Sequence, residues 1–166
     1  MITNYKVDNT SFEWFTPCGD NVSFDSILLD LKRHTAKGGK IFIGTDSLLN
    51  NDTCIFARAI CLHGAIGQSG GTYFISRKKE NAKQFKILAT RMLAEVEKTV
   101  NTALKIAESC PDALIELHLD ISSSIEKGPS GKYADMLTGF ARSTGFPCKV
   151  KPDSWASSSI ADRHSK

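Results

Sequence analysis

The chain lacks any long hydrophobic run. No uninterrupted apolar stretch exceeds a few residues, so no segment is expected to span a bilayer. It also lacks a C-x-x-C pair, and His34, His63, His118 and His164 show no zinc-ligand spacing. Its five cysteines are an odd number. A secreted disulfide scaffold and a zinc finger are thereby excluded, and the thiols are expected to be reduced, as in a cytoplasmic protein. Residues 1–14 carry neither a basic start nor an apolar core, so no signal peptide is expected. A strong excess of one charge is missing too. Lys plus Arg number 21 and Asp plus Glu 18, leaving a net charge of +3. That balance permits a nucleic-acid partner without demanding one. Internal repeats and low-complexity tracts are absent.

What is present is a globular composition. Apolar residues make up 41% and charged residues 23% of 166 positions, enough for one domain with its own core. Residues 1–20 are weakly patterned, an arm or a short strand. Ser23 is placed as the N-cap of a helix carrying Phe24, Ile27, Leu28 and Leu31, which Gly38-Gly39 ends. Residues 40–46 are apolar on both faces, the mark of a central strand. A turn at 48–52, a strand at 53–63, a glycine-rich loop at 64–71 and a strand at 72–77 complete an antiparallel meander. Apolar residues at spacings of three and four then predict a long helix over 81–109. A fourth strand over 113–121 puts Ile115, Leu117, Leu119 and Ile121 on one face, and Glu116, His118 and Asp120 on the other. A helix over 130–143, a strand over 146–151 and a final helix from 157 follow. The sum is a mixed α/β sheet of five strands flanked by helices, behind an N-terminal helical extension. The division expected is 1–39 for that extension and 40–166 for the main domain.

In that topology Asp46 and Asp120 stand at the same ends of two parallel strands. The final helix, with Asp162, begins near the same edge. Clustered carboxylates repel one another, and a hard cation such as Mg²⁺ or Mn²⁺ relieves the repulsion. Each of the three also has a plain structural reading as a turn, cap or solvated residue. Glu80, at the start of the expected long helix, is a candidate fourth carboxylate or a first-turn residue favoured by the helix dipole. Glu95 lies fifteen residues further on, about 22 Å down the axis at 1.5 Å per residue, and is set aside.

Three stretches together, Ile43-Gly-Thr-Asp-Ser47, His118-Leu-Asp-Ile121 and the terminal Ala156-Ser-Ser-Ser-Ile-Ala-Asp-Arg-His-Ser-Lys166, resemble the YkuK family of ribonuclease H-like proteins. The resemblance covers 40–166 and implies a ribonuclease H-like fold with Asp46, Asp120 and Asp162 as its acidic cluster. The resemblance fixes the fold more than the activity; the activity expected from the fold and the acids together is a nuclease in which two carboxylate-held Mg²⁺ or Mn²⁺ ions promote attack of water on a phosphodiester. Arg77, Lys78, Lys132 and Arg163 are the expected contacts to RNA, DNA or hybrid backbone. Two alternatives stand beside it: a catalytically silent binding or scaffold module, and a phosphoryl-transfer enzyme acting on another substrate. After Asp120 the chain departs from the Gly-Pro-like turn expected of the family, reading Ser122-Ser-Ser-Ile-Glu126 before Gly128-Pro129. Gly128-Pro-Ser-Gly-Lys132 is not a phosphate loop, because Glu126 and Tyr133 stand where Gly and Ser or Thr are required.

Overall fold

The computed structural model describes residues 12–166. Residues 1–11 of the expected arm lie outside the described residues. The frame is a meander of three strands, each eleven residues long: β3 (Lys40–Asn50), β4 (Thr53–His63) and β5 (Gly71–Asn81). They pair antiparallel along their whole length, from Lys40↔His63 to Asn50↔Thr53 and from Thr53↔Asn81 to His63↔Gly71. Asn51 and Asp52 alone make the β3–β4 turn. Asn51 takes a φ of 46°, a left-handed conformation that asparagine tolerates better than most residues. The turn expected at 48–52 is therefore shorter than the sequence suggests. Leu48, Leu49 and Asn50 continue the strand, and Leu49 packs with Cys54, Phe56 and Phe85.

β5 also outruns its expected end at 77. Lys79 and Glu80 pair with Ile55 and Cys54, and the Asn81 side chain then accepts from the Lys83 amide to start a short 3₁₀ turn, Ala82–Gln84. Helix α2 (Leu88–Ser109) consequently begins at Leu88, not at 81. It returns the chain to β6 (Leu114–Leu119), parallel to β3. Helix α3 (Ala134–Ser143) leads to β7 (Cys148–Lys149), parallel to β6. Two short strands, β1 (Trp14–Phe15) and β2 (Asn21–Val22), extend the β5 edge. Among the described residues the sheet thus has seven strands, in the order β2-β1-β5-β4-β3-β6-β7, rather than five. Two-residue strands carry no readable alternation, which is why the count from sequence fell short.

Side-chain alternation divides the sheet into two unequal faces. On one, Ile41, Ile43, Ile60, Phe74, Ile115 and Leu117 form a single core with α2, α3 and helix α1 (Phe24–Ala36). Ser23 caps α1 by accepting from the Ser26 amide, and Ile27 and Leu31 are fully buried. On the other face, Phe42, Ala57, Ala59, Cys61 and Ile75 receive the C-terminal segment. That segment is a π-helical stretch, Ala156–Ala161, continued by a one-turn helix α4 (Asp162–Ser165). No helix among the described residues is long and apolar enough to cross a membrane. All five cysteines are free. Cys18 is exposed and the other four are buried, with burial pushing Cys61 up to about 12 and Cys148 up to about 11.

Because α1 shares the core of the sheet, Leu31→Ala should cost about 2–5 kcal/mol. Urea denaturation followed by both circular dichroism and tryptophan fluorescence should show one transition moved to lower urea. A separate early transition for residues 23–39 would contradict a shared core.

Candidate active site

The site begins with a glycine. A Cβ on Gly44 would lie 2.5 Å from the Ser157 amide nitrogen, so only glycine lets the C-terminal segment rest directly on β3. His118, one strand over, holds the same segment from below. Its Nδ1 accepts from the Ala156 amide at 3.1 Å while Nε2 donates to Glu116 at 2.9 Å. Burial keeps His118 below its ordinary pKa and hence neutral, as an acceptor at Nδ1 must be. These two contacts carry Asp162 and Ser165 to Asp46.

Asp46 is buried on β3 and accepts from Ser165 Oγ at 2.7 Å. Burial is the main cause that pushes it up to about 7. Hydrogen bonding with the Asp120 carboxyl and the charges of Asp120 and Asp162 add to the rise, and the Ser165 hydroxyl opposes it. The structure thus brings the three predicted carboxylates within electrostatic reach of one another. Asp120 follows the last residue of β6, and Lys151 Nζ lies 2.8 Å from its Oδ1, out of line for a hydrogen bond. Lys166 Nζ pairs with Asp162 Oδ2 at 2.8 Å. Two ammonium groups therefore balance the cluster. Among the described residues no group of three or more His, Cys, Asp or Glu side chains stands ready to enclose a metal ion.

A fourth carboxylate comes from a residue that the sequence reading set aside. Glu95 lies seven residues into α2, about 10 Å from its start, because the helix begins at Leu88. It is buried and accepts from Ser47 Oγ at 2.5 Å. Burial first, and then the charges of Asp46 and Asp120, hold it well above the usual carboxylate range. Glu80 lies in β5 instead, paired with Lys98 at 2.7 Å. The signal for Glu95 was a carboxylate on the buried side of α2, between Met92 and Thr99, where an apolar residue is the norm.

The basic residues separate. Asp46, Ala57 and Arg77 stand in one cross-strand row, so exposed Arg77 shares the carboxylate face with only an alanine between them. Arg163 and Arg77 both act electrostatically on His164, whose Nε2 meets Tyr73 Oη at 3.0 Å. Lys78 faces the other side of the sheet, 5.4 Å from the centre of the Phe12 ring. Lys132 is exposed in the 3₁₀ turn Pro129–Tyr133, over the Tyr133 ring. Neither is placed in the row with Asp46.

Residues 23–166 match the family model described as ribonuclease H-like. The chain belongs to that family. The match supports the YkuK resemblance and starts upstream of 40, taking in α1. No curated protein and no solved structure matches the chain. The ribonuclease H-like frame explains how residues 46, 120 and 162 meet. Two parallel strands and one C-terminal segment deliver them to the same end of the sheet.

The charge cluster has a signed consequence for stability. The folded pKa of Asp46, about 7, stands above the 3.8 of an ordinary aspartate. Its favourable share of stability is whole below pH 3.8 and is lost as the pH rises through 7. With EDTA present, Asp46→Asn should therefore gain on the wild type between pH 4 and 7, by at most about 1.4 kcal/mol per pH unit. Urea melts of both proteins at pH 4 and pH 8 measure it, and a difference that does not change with pH would contradict the cluster. Gly44→Ala should lose about 1–3 kcal/mol from overpacking. The same melts read this loss, and an unchanged midpoint would mean the segment does not rest on β3.

Proposed function

We propose that the protein is a metal-dependent nuclease of the YkuK type, hydrolysing phosphodiesters with Mg²⁺ or Mn²⁺. The observation that carries the reading is the meeting of Asp46, Asp120 and Asp162 at one sheet end, with Glu95 behind them. The donors fit such an ion: all are hard carboxylate oxygens, and Asp120 Oδ1, buried and without a hydrogen bond, already has a cation beside it in the Lys151 ammonium at 2.8 Å. Asp46, Asp120 and Asp162 would hold the ion, and Ser165 would orient Asp46. When bound, a divalent ion supplies positive charge to phosphoryl oxygens and lowers the pKa of water. Glu95 would keep Ser47 and the β3 end in place. Arg77 and Arg163 would bind the substrate backbone by charge, giving an affinity that falls steeply with salt. Lys151 and Lys166 would move aside as the ion enters.

One observation favours the rival, a catalytically silent nucleic-acid-binding module. Lys151 and Lys166 already neutralise Asp120 and Asp162. A panel of labelled RNA, DNA and hybrid duplexes with Mg²⁺, Mn²⁺ or EDTA separates the two. The nuclease reading expects cleavage only with a divalent ion, reduced at least about 10²-fold in Asp120→Asn. Salt-sensitive binding without cleavage would establish the module, and cleavage that persists in EDTA would remove the metal. Mn²⁺ should also raise the melting temperature of the wild type more than that of Asp120→Asn, since it binds the folded site.

A further inference from the structure

On the carboxylate face, four residues down β3 and β5 from the row of Asp46, Ala57 and Arg77, stands a second row: Phe42, Cys61 and Tyr73. At about 3.3 Å per residue the two rows are roughly 13 Å apart. The second row opens into a hollow of about 490 Å³, closed on one side by Trp155 and Ile160 of the C-terminal segment. That volume lies within the range of sites for small organic ligands, roughly 300–1,000 Å³. Three aromatic rings stand in its walls beside aliphatic and polar residues such as Leu62, His63 and Thr72. Phe42 and Trp155 meet at 4.8 Å between ring centres, and Tyr73 stands opposite Phe42 across Cys61. All three rings are only partly buried, so part of each remains open to a ligand. Among the described residues no carboxylate lines the hollow.

We infer that this hollow is a nucleobase pocket, which receives one unstacked base of a single-stranded segment of the substrate. The inference rests on the nucleic-acid reading above. It adds to that reading a site remote from the carboxylates and a preference for strands whose bases are free. The flat rings of Phe42, Tyr73 and Trp155 favour a flat aromatic ligand, because every base presents a π-face to stack. Charge selects the base over an apolar chain. Arg77 lies further along β5 on the same face, with Arg163 beside His164. A base seated between Tyr73 and Trp155 sends its own strand past these two cations toward Asp46. Tyr73 joins the two ends physically, since its ring lines the hollow while its hydroxyl meets His164. A duplex cannot use the pocket without giving up a base pair.

The chain has two tryptophans, and the second serves as a control. Trp14 is buried in the core on the other sheet face, and Trp155 lines the hollow. In EDTA, ¹⁵N-labelled protein titrated with adenosine, adenosine 5′-monophosphate and a short oligoadenylate should show the Trp155 indole resonance moving to saturation while that of Trp14 stays. Tyr73→Leu should weaken adenosine binding about tenfold or more by loss of a stacking wall. Cys61→Phe, which fills the floor, should abolish it. Arg77→Ala should weaken the oligoadenylate and leave adenosine unchanged. A still Trp155 resonance, equal movement of both indoles, or a larger response to octanoate than to adenosine would overturn the pocket. Should Cys61→Phe fail to fold, Tyr73→Leu decides alone, and unchanged adenosine affinity there is a negative result. Cleavage with Mn²⁺ but no Trp155 response leaves the nuclease and removes the pocket. A Trp155 response without cleavage keeps the pocket and removes the nuclease.

Discussion

The approach of the Ser157 backbone to Gly44 is the contact on which the rest of the site depends. One Cβ at that position would push the C-terminal segment off β3. Asp162 and Ser165 would leave Asp46 with it, since neither has another route to that end of the sheet. The neighbouring rows are built for the same purpose. Ala57 and Ala59 are small, and His118 receives the Ala156 amide from below. The other sheet face is filled by Ile, Leu and Phe against three helices, the usual solution for a core. The carboxylate face gives up that bulk so that a backbone can come close.

Bringing like charges together costs stability, and the fold spreads the cost. Asp46 is buried and drifts toward its neutral form. Asp120 and Asp162 each keep a lysine. Glu95 is buried on the α2 side with a serine donor. Thr99, one turn along α2, bonds Thr45 beside Asp46 at 2.8 Å, so helix and strand are fixed to each other at the level of the cluster. The result is a group of acids whose mutual repulsion is offset in part by burial of one proton and by two lysine counter-ions.

Much of this was legible in the sequence because strands alternate. His118 and Asp120 had to share a face, and the run 40–46 had to be central. The same logic, with parallel strand ends, places Asp46 and Asp120 together from the sequence alone. The long helix was legible as a helix but not in its start. Residues 81–87 hold Phe85 and lysines that suit a first turn as well as a connection. What decided the matter was pairing of Lys79 and Glu80 with β4, a non-local interaction that leaves no local trace. That error displaced Glu95 by two turns and raised Glu80 in its place. The short strands β1 and β2 were hidden for another reason. Two residues cannot display a period, and the place of β1 is set by β5 beside it and that of β2 by β1.

The distribution of cysteines has a practical consequence of another kind. Four thiols are buried, Cys61 at the base of the hollow among them, and burial holds Cys61 and Cys148 far from the reactive thiolate. Cys18, in the turn between β1 and β2, is the single one open to solvent. The wild-type chain therefore takes a maleimide dye, a spin label or a surface tether at one position, at the far edge of the sheet from β6 and Asp120, with no engineering.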